Sequence, residues 1–400
     1  MTTDGSSDSS PVGTLPGALD GVRVINAGQI IAGPFTATLL AEFGADVIKV
    51  ESPENPAVRT VQFAQDHRGQ RGVTINLRHP EGKALFQKLC STADILVENF
   101  RPGALERLGL APDDLREENP GLIAIRISGY GQTGPYRDRT GFDRVALGFS
   151  GMTYVTGDPD RRPVRPGYFV ADYGTGIFAA YGAMLALRAR ETSGRGQDVD
   201  LGLFEAPWRM SGTHLPNYGL TGENRERAGN YYPGVVPAEQ FETSDGHHLI
   251  INATTQRPFV RLCEAISQPE LVDDARFTPR ENLVANADAI HDILRPWVAE
   301  RTLEENSRIL DEYAVPSTKV YATSDIVADP HYEAREQVLT IESPMGEQLL
   351  QPGIVPRLTE TPGSVTRRAP KPGEHNDEVF SDLLGLSADE IASLRDAGTI

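Results

Sequence analysis

Short apolar runs alternate with stretches of helical periodicity through the first half of the chain. Val22 to Asn26, Ala45 to Glu51, Val73 to Leu77, Ile95 to Val97 and Leu122 to Ile127 read as strands, and Pro34 to Phe43 and Pro80 to Cys90 read as helices between them. That order predicts parallel βαβ units with helices covering a sheet, an α/β fold. A longer helix is expected from Ile177 to Arg190, stopped by the glycines that follow, with Asp198 to Leu203 as a further strand. Regular apolar periodicity lapses between about 205 and 235. Beyond it, Phe241 to Ile251 predicts a hairpin around Asp245-Gly246, residues 287 to 313 an amphipathic helix, and Val315 to Tyr321 an extended piece. A smaller central domain is the economical reading, and two short helices, Asp377 to Leu384 and Ala388 to Ala397, close the chain.

Composition narrows the class. Four hundred residues, 39% hydrophobic, are enough for a large core and more than one domain. Only residues 1 to 16, rich in Ser, Gly, Asp and Pro, are expected to be disordered. No charged start leads into an apolar segment and no run of apolar residues is long enough to span a bilayer, so neither secretion nor a membrane is indicated. The two cysteines, Cys90 and Cys263, are expected as separate buried thiols in a cytoplasmic chain. A net charge of −18 disfavours a nucleic-acid surface, while a local basic pocket for an anionic ligand stays open.

Asp172 is the candidate for chemistry. It lies in Tyr168-Phe-Val-Ala-Asp-Tyr-Gly-Thr-Gly176, just ahead of the helix expected from Ile177. A carboxylate at such a junction faces unpaired N–H groups and the positive end of the helix dipole, which favours its ionised form. Gly174 and Gly176 would leave its surroundings open to a bulky reactant, as a carboxylate nucleophile requires. The same pattern also describes a plain N-cap, and the local residues leave both readings open.

The loop from Asn26 to Pro34 is a glycine-bearing turn before a helix, a feature able to hold pyrophosphate on backbone N–H groups. Glu51, ending the next strand, imitates a ribose-binding acid. Yet the spacing from Gly28 to Gly33 is not G-x-G-x-x-G, and Gly33 precedes a proline, which has no N–H, so NAD is not the expected ligand. A structural turn and a different nucleotide-bearing ligand both fit. No metal site is expected, since no C-x-x-C, H-E-x-x-H or P-loop spacing occurs. His247 and His248 are adjacent, so a strand would point them to opposite faces, one exposed and one packed.

Taken together, the motifs resemble the class III CoA-transferases, the CaiB/BaiF family that contains formyl-CoA transferase and the carnitine CoA-transferase. The resemblance is carried by Leu19-Asp-Gly-Val-Arg-Val24, Ile31-Ala-Gly-Pro-Phe35, Gly44-Ala-Asp-Val-Ile-Lys-Val-Glu51, Leu77-Arg-His-Pro-Glu-Gly82 and Asp94-Ile-Leu-Val-Glu-Asn-Phe-Arg-Pro-Gly103. It continues through Ser128-Gly-Tyr-Gly131, Ala171-Asp-Tyr-Gly174 and Thr192-Ser-Gly-Arg-Gly-Gln197, and covers about residues 17 to 400. It implies a large Rossmann-like domain made from both chain ends, residues 17–215 and 336–400. A small α+β domain, 216–335, would lie between them in sequence, and two subunits would interlock as a homodimer.

Asp172 falls on the family's catalytic aspartate. Ile31, Ala32, Arg78, Asn99, Phe100, Arg101 and Arg107 would lie along a coenzyme A channel, and Phe142 and Asp143 would line the reaction centre. The implied reaction moves coenzyme A from an acyl-CoA donor to a carboxylic acid acceptor, through an aspartyl anhydride and then an aspartyl-CoA thioester. Acyl-CoA and CoA are substrates there, with no permanently bound cofactor, and N–H groups near Gly174 to Gly176 are candidate oxyanion donors.

Two departures bear on the substrate. The long glycine-rich lid of the formyl-CoA branch is missing, and Tyr231-Tyr232 looks more similar to the carnitine-type branch. The alternatives on the same fold are racemase-like α-proton transfer on an acyl-CoA and a non-catalytic CoA-binding protein. The racemase branch carries a histidine where this chain has Phe142, and phenylalanine cannot exchange a proton.

Overall fold

The computed structural model describes residues 17–400, so the expected disordered tail, residues 1 to 16, lies outside the described residues. Two compact units are formed. One runs up to Ser150, takes in Gly167–Ser211 and ends with Ala334–Ile400; the other consists of Gly151–Pro166 and Gly212–Glu333.

The first unit is built on six parallel strands: β1 (Arg23–Asn26), β2 (Asp46–Glu51), β3 (Arg71–Thr74), β4 (Ile95–Glu98), β5 (Ile123–Ser128) and β6 (Asp198–Gly202), in the order β3-β2-β1-β4-β5-β6. Val24, Ile25, Val47, Ile48, Ile95, Leu96, Ile123 and Ile125 are all buried, as a parallel sheet covered on both faces requires. β3 begins two residues before the expected Val73. It also ends early, because Asn76 turns its N–H to the Thr399 carbonyl, 2.8 Å away, instead of extending the ladder.

One face is covered by Pro80–Ser91 and by the last two helices, Asn376–Leu384 and Ala388–Asp396. Phe86, Leu89 and Phe380 join Ile25, Ile48 and Leu96 in a single buried cluster, so the chain's last helices complete the core of its first strands. On the other face Ala32–Ala41 packs against the long Val170–Ser193 helix. Small residues permit close packing around this helix: a Cβ on Gly176 would stand 2.8 Å from Phe35 Cδ1 of Ala32–Ala41, and one on Gly182 2.6 Å from Val199 Cγ1 of β6. Among the described residues Val170–Ser193 is the helix long and apolar enough to cross a bilayer. One side of it packs on Ala32–Ala41, β5 and β6, while Ile177, Tyr181 and Leu185 on the other stay more than half exposed.

The second unit carries a three-stranded antiparallel sheet of Ala238–Glu242, His248–Asn252 and Ser317–Lys319. Its first hairpin turns at Asp245-Gly246, with Gly246 at φ 76°. Phe241, Leu249 and Ile251 face a core shared with Phe259, Leu294 and Leu310. The helix expected over 287–313 is two, Ala287–Ala299 and Leu303–Glu312. Thr302 breaks it by forming a capping box, in which the Glu305 carboxylate accepts the Thr302 N–H at 2.9 Å. His247 and His248 are both exposed, against the expectation that one packs, because Leu249 is the first inward residue after the turn. Cys90 and Cys263 are buried and unpaired, and burial pushes both thiols up, Cys263 to about 12.

Candidate active site

The helix that carries Asp172 starts at Val170 rather than Ile177, so Asp172 lies inside its first turn and not ahead of it. Phe169 occupies the N-cap position, and its carbonyl accepts the Tyr173 N–H at 3.0 Å. Gly174 and Gly176 are helical and buried, and they do not open the surroundings of Asp172. Gly174 makes room for Met210, whose Cε would lie 3.1 Å from a Cβ there, while Gly176 makes room for Phe35. Their N–H groups, past the first turn, are committed to intrahelical bonds, which removes them as oxyanion donors.

Two further carboxylates surround Asp172. Asp143 is buried in the first turn of Asp143–Phe149, and its Oδ1 accepts the N–H of Ala171 at 2.9 Å and that of Asp172 at 3.5 Å. The cap that sequence allowed Asp172 is therefore supplied by Asp143. Asp66, at the end of Val61–Asp66, is fully buried and accepts a hydrogen bond from the Tyr173 hydroxyl, 3.3 Å away. No feature of the sequence had marked it. Burial, followed by the negative charges of Asp143 and Asp66, pushes the Asp172 carboxyl up to about 7. The helix dipole is outweighed, and the expectation of a readily ionised Asp172 is overturned. Asp66 also rises to about 7, mainly through burial.

The strand order reverses between β1 and β4, and in such sheets ligands bind in the crevice beyond the carboxyl ends of the strands at that switch. The turn after β1 is tightly held. Asn26 Oδ1 accepts the Gly28 N–H at 2.9 Å, and the buried Lys49 ammonium donates to the Gly28 carbonyl. From the β4 side, Asn99 bridges the crevice: its Oδ1 accepts the Gln29 N–H and its Nδ2 donates to the Gln29 carbonyl, both at 2.7 Å. Ile31 and Ala32 are buried, whereas Ile30 is 63% exposed and held at φ 67°. A β-branched residue in that region stores strain of about 1–3 kcal/mol, which sequence alone did not reveal. Thr36 Oγ1 bonds the Ala32 carbonyl at 2.7 Å and the Gly176 carbonyl at 3.4 Å, tying this turn to the helix of Asp172.

After β4 the buried Glu98 shapes the next turn, accepting the Phe100 N–H at 2.8 Å while Arg126 Nε donates to its other oxygen at 2.9 Å. Phe100 is half-buried against the core. Arg101 and Arg107 are exposed on this segment, Arg101 bonding Thr140 Oγ1 at 2.8 Å. Arg78 is exposed in the turn after β3, three strand positions from β4, roughly 14 Å across the sheet. The three arginines thus come from segments after two different strands of the sheet. Phe142 is 58% exposed at the N-cap position ahead of Asp143.

Glu51, the imitation ribose acid, is buried in an ion pair with Arg59 at 2.6 Å and is not available to a ligand. In the second unit Tyr231 packs on the core and the Arg225 guanidinium covers the Tyr232 ring at 4.6 Å, so this pair forms no open aromatic cage. Among the described residues no group of three or more His, Cys, Asp or Glu could hold a metal ion.

The first unit is an α/β fold with a six-stranded parallel sheet whose strand order reverses between β1 and β4, and a half-buried carboxylate, Asp172, lies in the first turn of a helix packed on it. The CoA-transferase family III profile matches residues 19–376, and the chain belongs to that family. It is 41% identical over 392 residues to the succinyl-CoA--D-citramalate CoA-transferase of Chloroflexus aurantiacus, covering 95% of this chain and 97% of that protein. To the succinyl-CoA--L-malate CoA-transferase beta subunit of the same organism it is 42% identical over 396 residues, 96% and 97% of the two chains. The crystal structure of a CAIB/BAIF family protein from Brucella suis superposes with a TM-score of 0.81 at 32% identity, covering 92% of this chain and all of the other. The chain is accordingly an acyl-CoA:carboxylate CoA-transferase of class III, whose substrates include CoA thioesters.

Proposed function

We propose that Asp172 is the nucleophile of this transfer and that the acids exchanged are small dicarboxylates, with succinyl-CoA as donor and a four- or five-carbon hydroxydicarboxylate as acceptor. The observation that carries the reading is the state of Asp172: half-buried, raised towards neutrality, and paired with no arginine or lysine among the described residues. A carboxylate locked in a salt bridge would be a poor nucleophile; this one, once ionised, is free to attack. The dicarboxylate class is supported by the two Chloroflexus relatives, named for succinyl-CoA with D-citramalate or L-malate.

In the proposed cycle an Asp172 oxygen attacks the thioester carbonyl, the carbon–sulfur bond breaks and CoA thiolate leaves a mixed anhydride. The thiolate then attacks the aspartyl carbonyl and releases the donor acid, leaving an aspartyl-CoA thioester. The acceptor carboxylate attacks that thioester, giving a new anhydride and thiolate. Attack of the thiolate on the acceptor's acyl carbon regenerates the Asp172 carboxylate and forms the new acyl-CoA. Water must be excluded throughout, since hydrolysis of either intermediate ends the exchange.

Arg78, Arg101 and Arg107 bind coenzyme A phosphates through paired, charge-assisted bonds. Ile31, Ala32, Asn99 and Phe100 line its path, and Phe142 and Asp143 flank the reacting thioester. The active unit is an interlocked homodimer acting in the cytoplasm. Supporting the dimer, Ile177, Tyr181 and Leu185 recur every fourth residue on Val170–Ser193 and are more than half exposed, an apolar stripe that a second subunit would cover.

Donor and acceptor are tested by incubating succinyl-CoA with D-citramalate, L-malate and other acids and reading the acyl-CoA products by mass spectrometry. New acyl-CoA appearing with an equal amount of succinate supports the reading. Hydrolysis alone, or solvent-deuterium uptake at the α-carbon of a 2-methylacyl-CoA without an acceptor, contradicts it.

A further inference from the structure

Asp66 is the buried acid next to the reaction centre for which the proposed cycle has no task. Its backbone carbonyl accepts the Thr38 hydroxyl at 2.6 Å, which fixes it against Ala32–Ala41. The Tyr173 hydroxyl donates to its carboxylate at 3.3 Å and accepts from Gln65 Nε2 at 3.2 Å, and the Tyr173 ring meets Phe35 edge-on at 4.8 Å. Arg68, the nearest cation in sequence, is already bound to Glu42 at 2.6 Å. A fully buried carboxylate with neutral hydrogen-bond partners is costly, and an amide of the same shape could accept the tyrosine bond without a charge. An ionisable carboxyl in place of an amide therefore needs a reason beyond packing, and Tyr173 directly follows Asp172.

We propose that Asp66, acting through Tyr173, is a positioning residue for Asp172: it anchors the first turn of the helix and sets a second negative charge beside the nucleophile. The proposal rests on the reading of Asp172 as nucleophile. The groups facing this pair are Asp143 from Asp143–Phe149, Asp66 with Arg68 just beyond its helix, and Tyr173 on the long helix itself; Ala32–Ala41 brings only Phe35 and Thr38. A like charge disfavours ionisation of its neighbour, so the two acids titrate as a coupled pair. The arrangement keeps the attacking carboxylate more basic than an exposed aspartate and hence more nucleophilic.

The test compares pH profiles of kcat/KM for the wild type, Asp66→Asn, Tyr173→Phe and Asp172→Ala, with thermal melts of each. In the wild type the acid limb should be broader than a single-proton titration. Asp66→Asn should sharpen it to one proton and move its midpoint down by about one pH unit, because a like charge has gone. Tyr173→Phe should move it in the same direction by less, since Asp66 without its donor ionises less readily. A merely structural role would lower the whole profile without moving the limb. Unmoved limbs in both variants, with Asp172→Ala inactive, would overturn this proposal and leave the nucleophile standing. Turnover by Asp172→Ala would instead remove the nucleophile assignment on which it rests. Should Asp66→Asn fail to fold, Tyr173→Phe, which keeps the ring packing, decides.

Discussion

The Asp143 carboxylate accepts the Ala171 N–H at 2.9 Å, so the helix carrying Asp172 is capped by an acid from a different helix. Asp143 thereby performs two tasks that pull in opposite directions. Its hydrogen bond holds the first turn, while its charge makes Asp172 harder to ionise. Asparagine caps as well as aspartate but carries no charge. Asp143→Asn should therefore keep stability nearly unchanged and shift the acid limb of kcat/KM to lower pH. Asp143→Ala should shift the limb similarly and cost about 1 kcal/mol in denaturant unfolding.

Asp172 sets a second pH dependence with a definite sign. Its folded pKa, about 7, is raised from the ordinary 3.8, so ionising it costs stability that an asparagine does not. The penalty is absent below about pH 4, grows as pH rises between 3.8 and about 7, and is fully present above that. Asp172→Asn should consequently be inactive yet melt a few degrees higher than the wild type at pH 8, with the difference vanishing towards pH 4. Wild-type activity should fall as pH drops through about 7, where the nucleophile protonates.

Gly176 is a packing residue rather than an opening beside the nucleophile. An alanine there would put its Cβ 2.8 Å from Phe35 Cδ1 and 3.3 Å from the Ala32 carbonyl. Gly176→Ala should destabilise by about 1–3 kcal/mol in urea unfolding, the usual cost of overpacking. Because Ala32 closes the turn after β1, KM for the acyl-CoA should rise as well.

Arg101 and Arg107 are assigned to coenzyme A phosphates, and loss of a charge-assisted bond costs about 1.5–3 kcal/mol. Arg101→Ala or Arg107→Ala should raise KM for the acyl-CoA by roughly tenfold or more with kcat little changed. The salt dependence of KM should weaken in both. Steady-state kinetics at two ionic strengths checks this.

The sheet was legible because parallel strands buried on both faces write continuous apolar runs, as in Val22 to Asn26 and Leu122 to Ile127. The start of the long helix was not. Gly174 and Gly176 look like loop residues in sequence, and only the packing of Phe35 and Met210 against them explains why the helix runs through. The motif order pointed to Asp172, whereas its electrical state depends on Asp143 and Asp66, which are 29 and 106 residues away in sequence and come near it only after folding. Asn99 appeared as a member of a motif, but its clamp on Gln29 needs both turns of the β1/β4 crevice. Ile30 carried no signal at all, because a strained φ is a property of the folded loop.

The central claim is that coenzyme A passes through a covalent bond to Asp172. Wild-type enzyme mixed with succinyl-CoA and no acceptor acid, quenched in acid, digested and mapped by mass spectrometry, should carry CoA on the peptide containing Asp172. Hydroxylamine should convert that adduct to the aspartyl hydroxamate, and Asp172→Asn should show neither species. Coenzyme A on another residue, or full transfer activity in Asp172→Asn, would contradict the account.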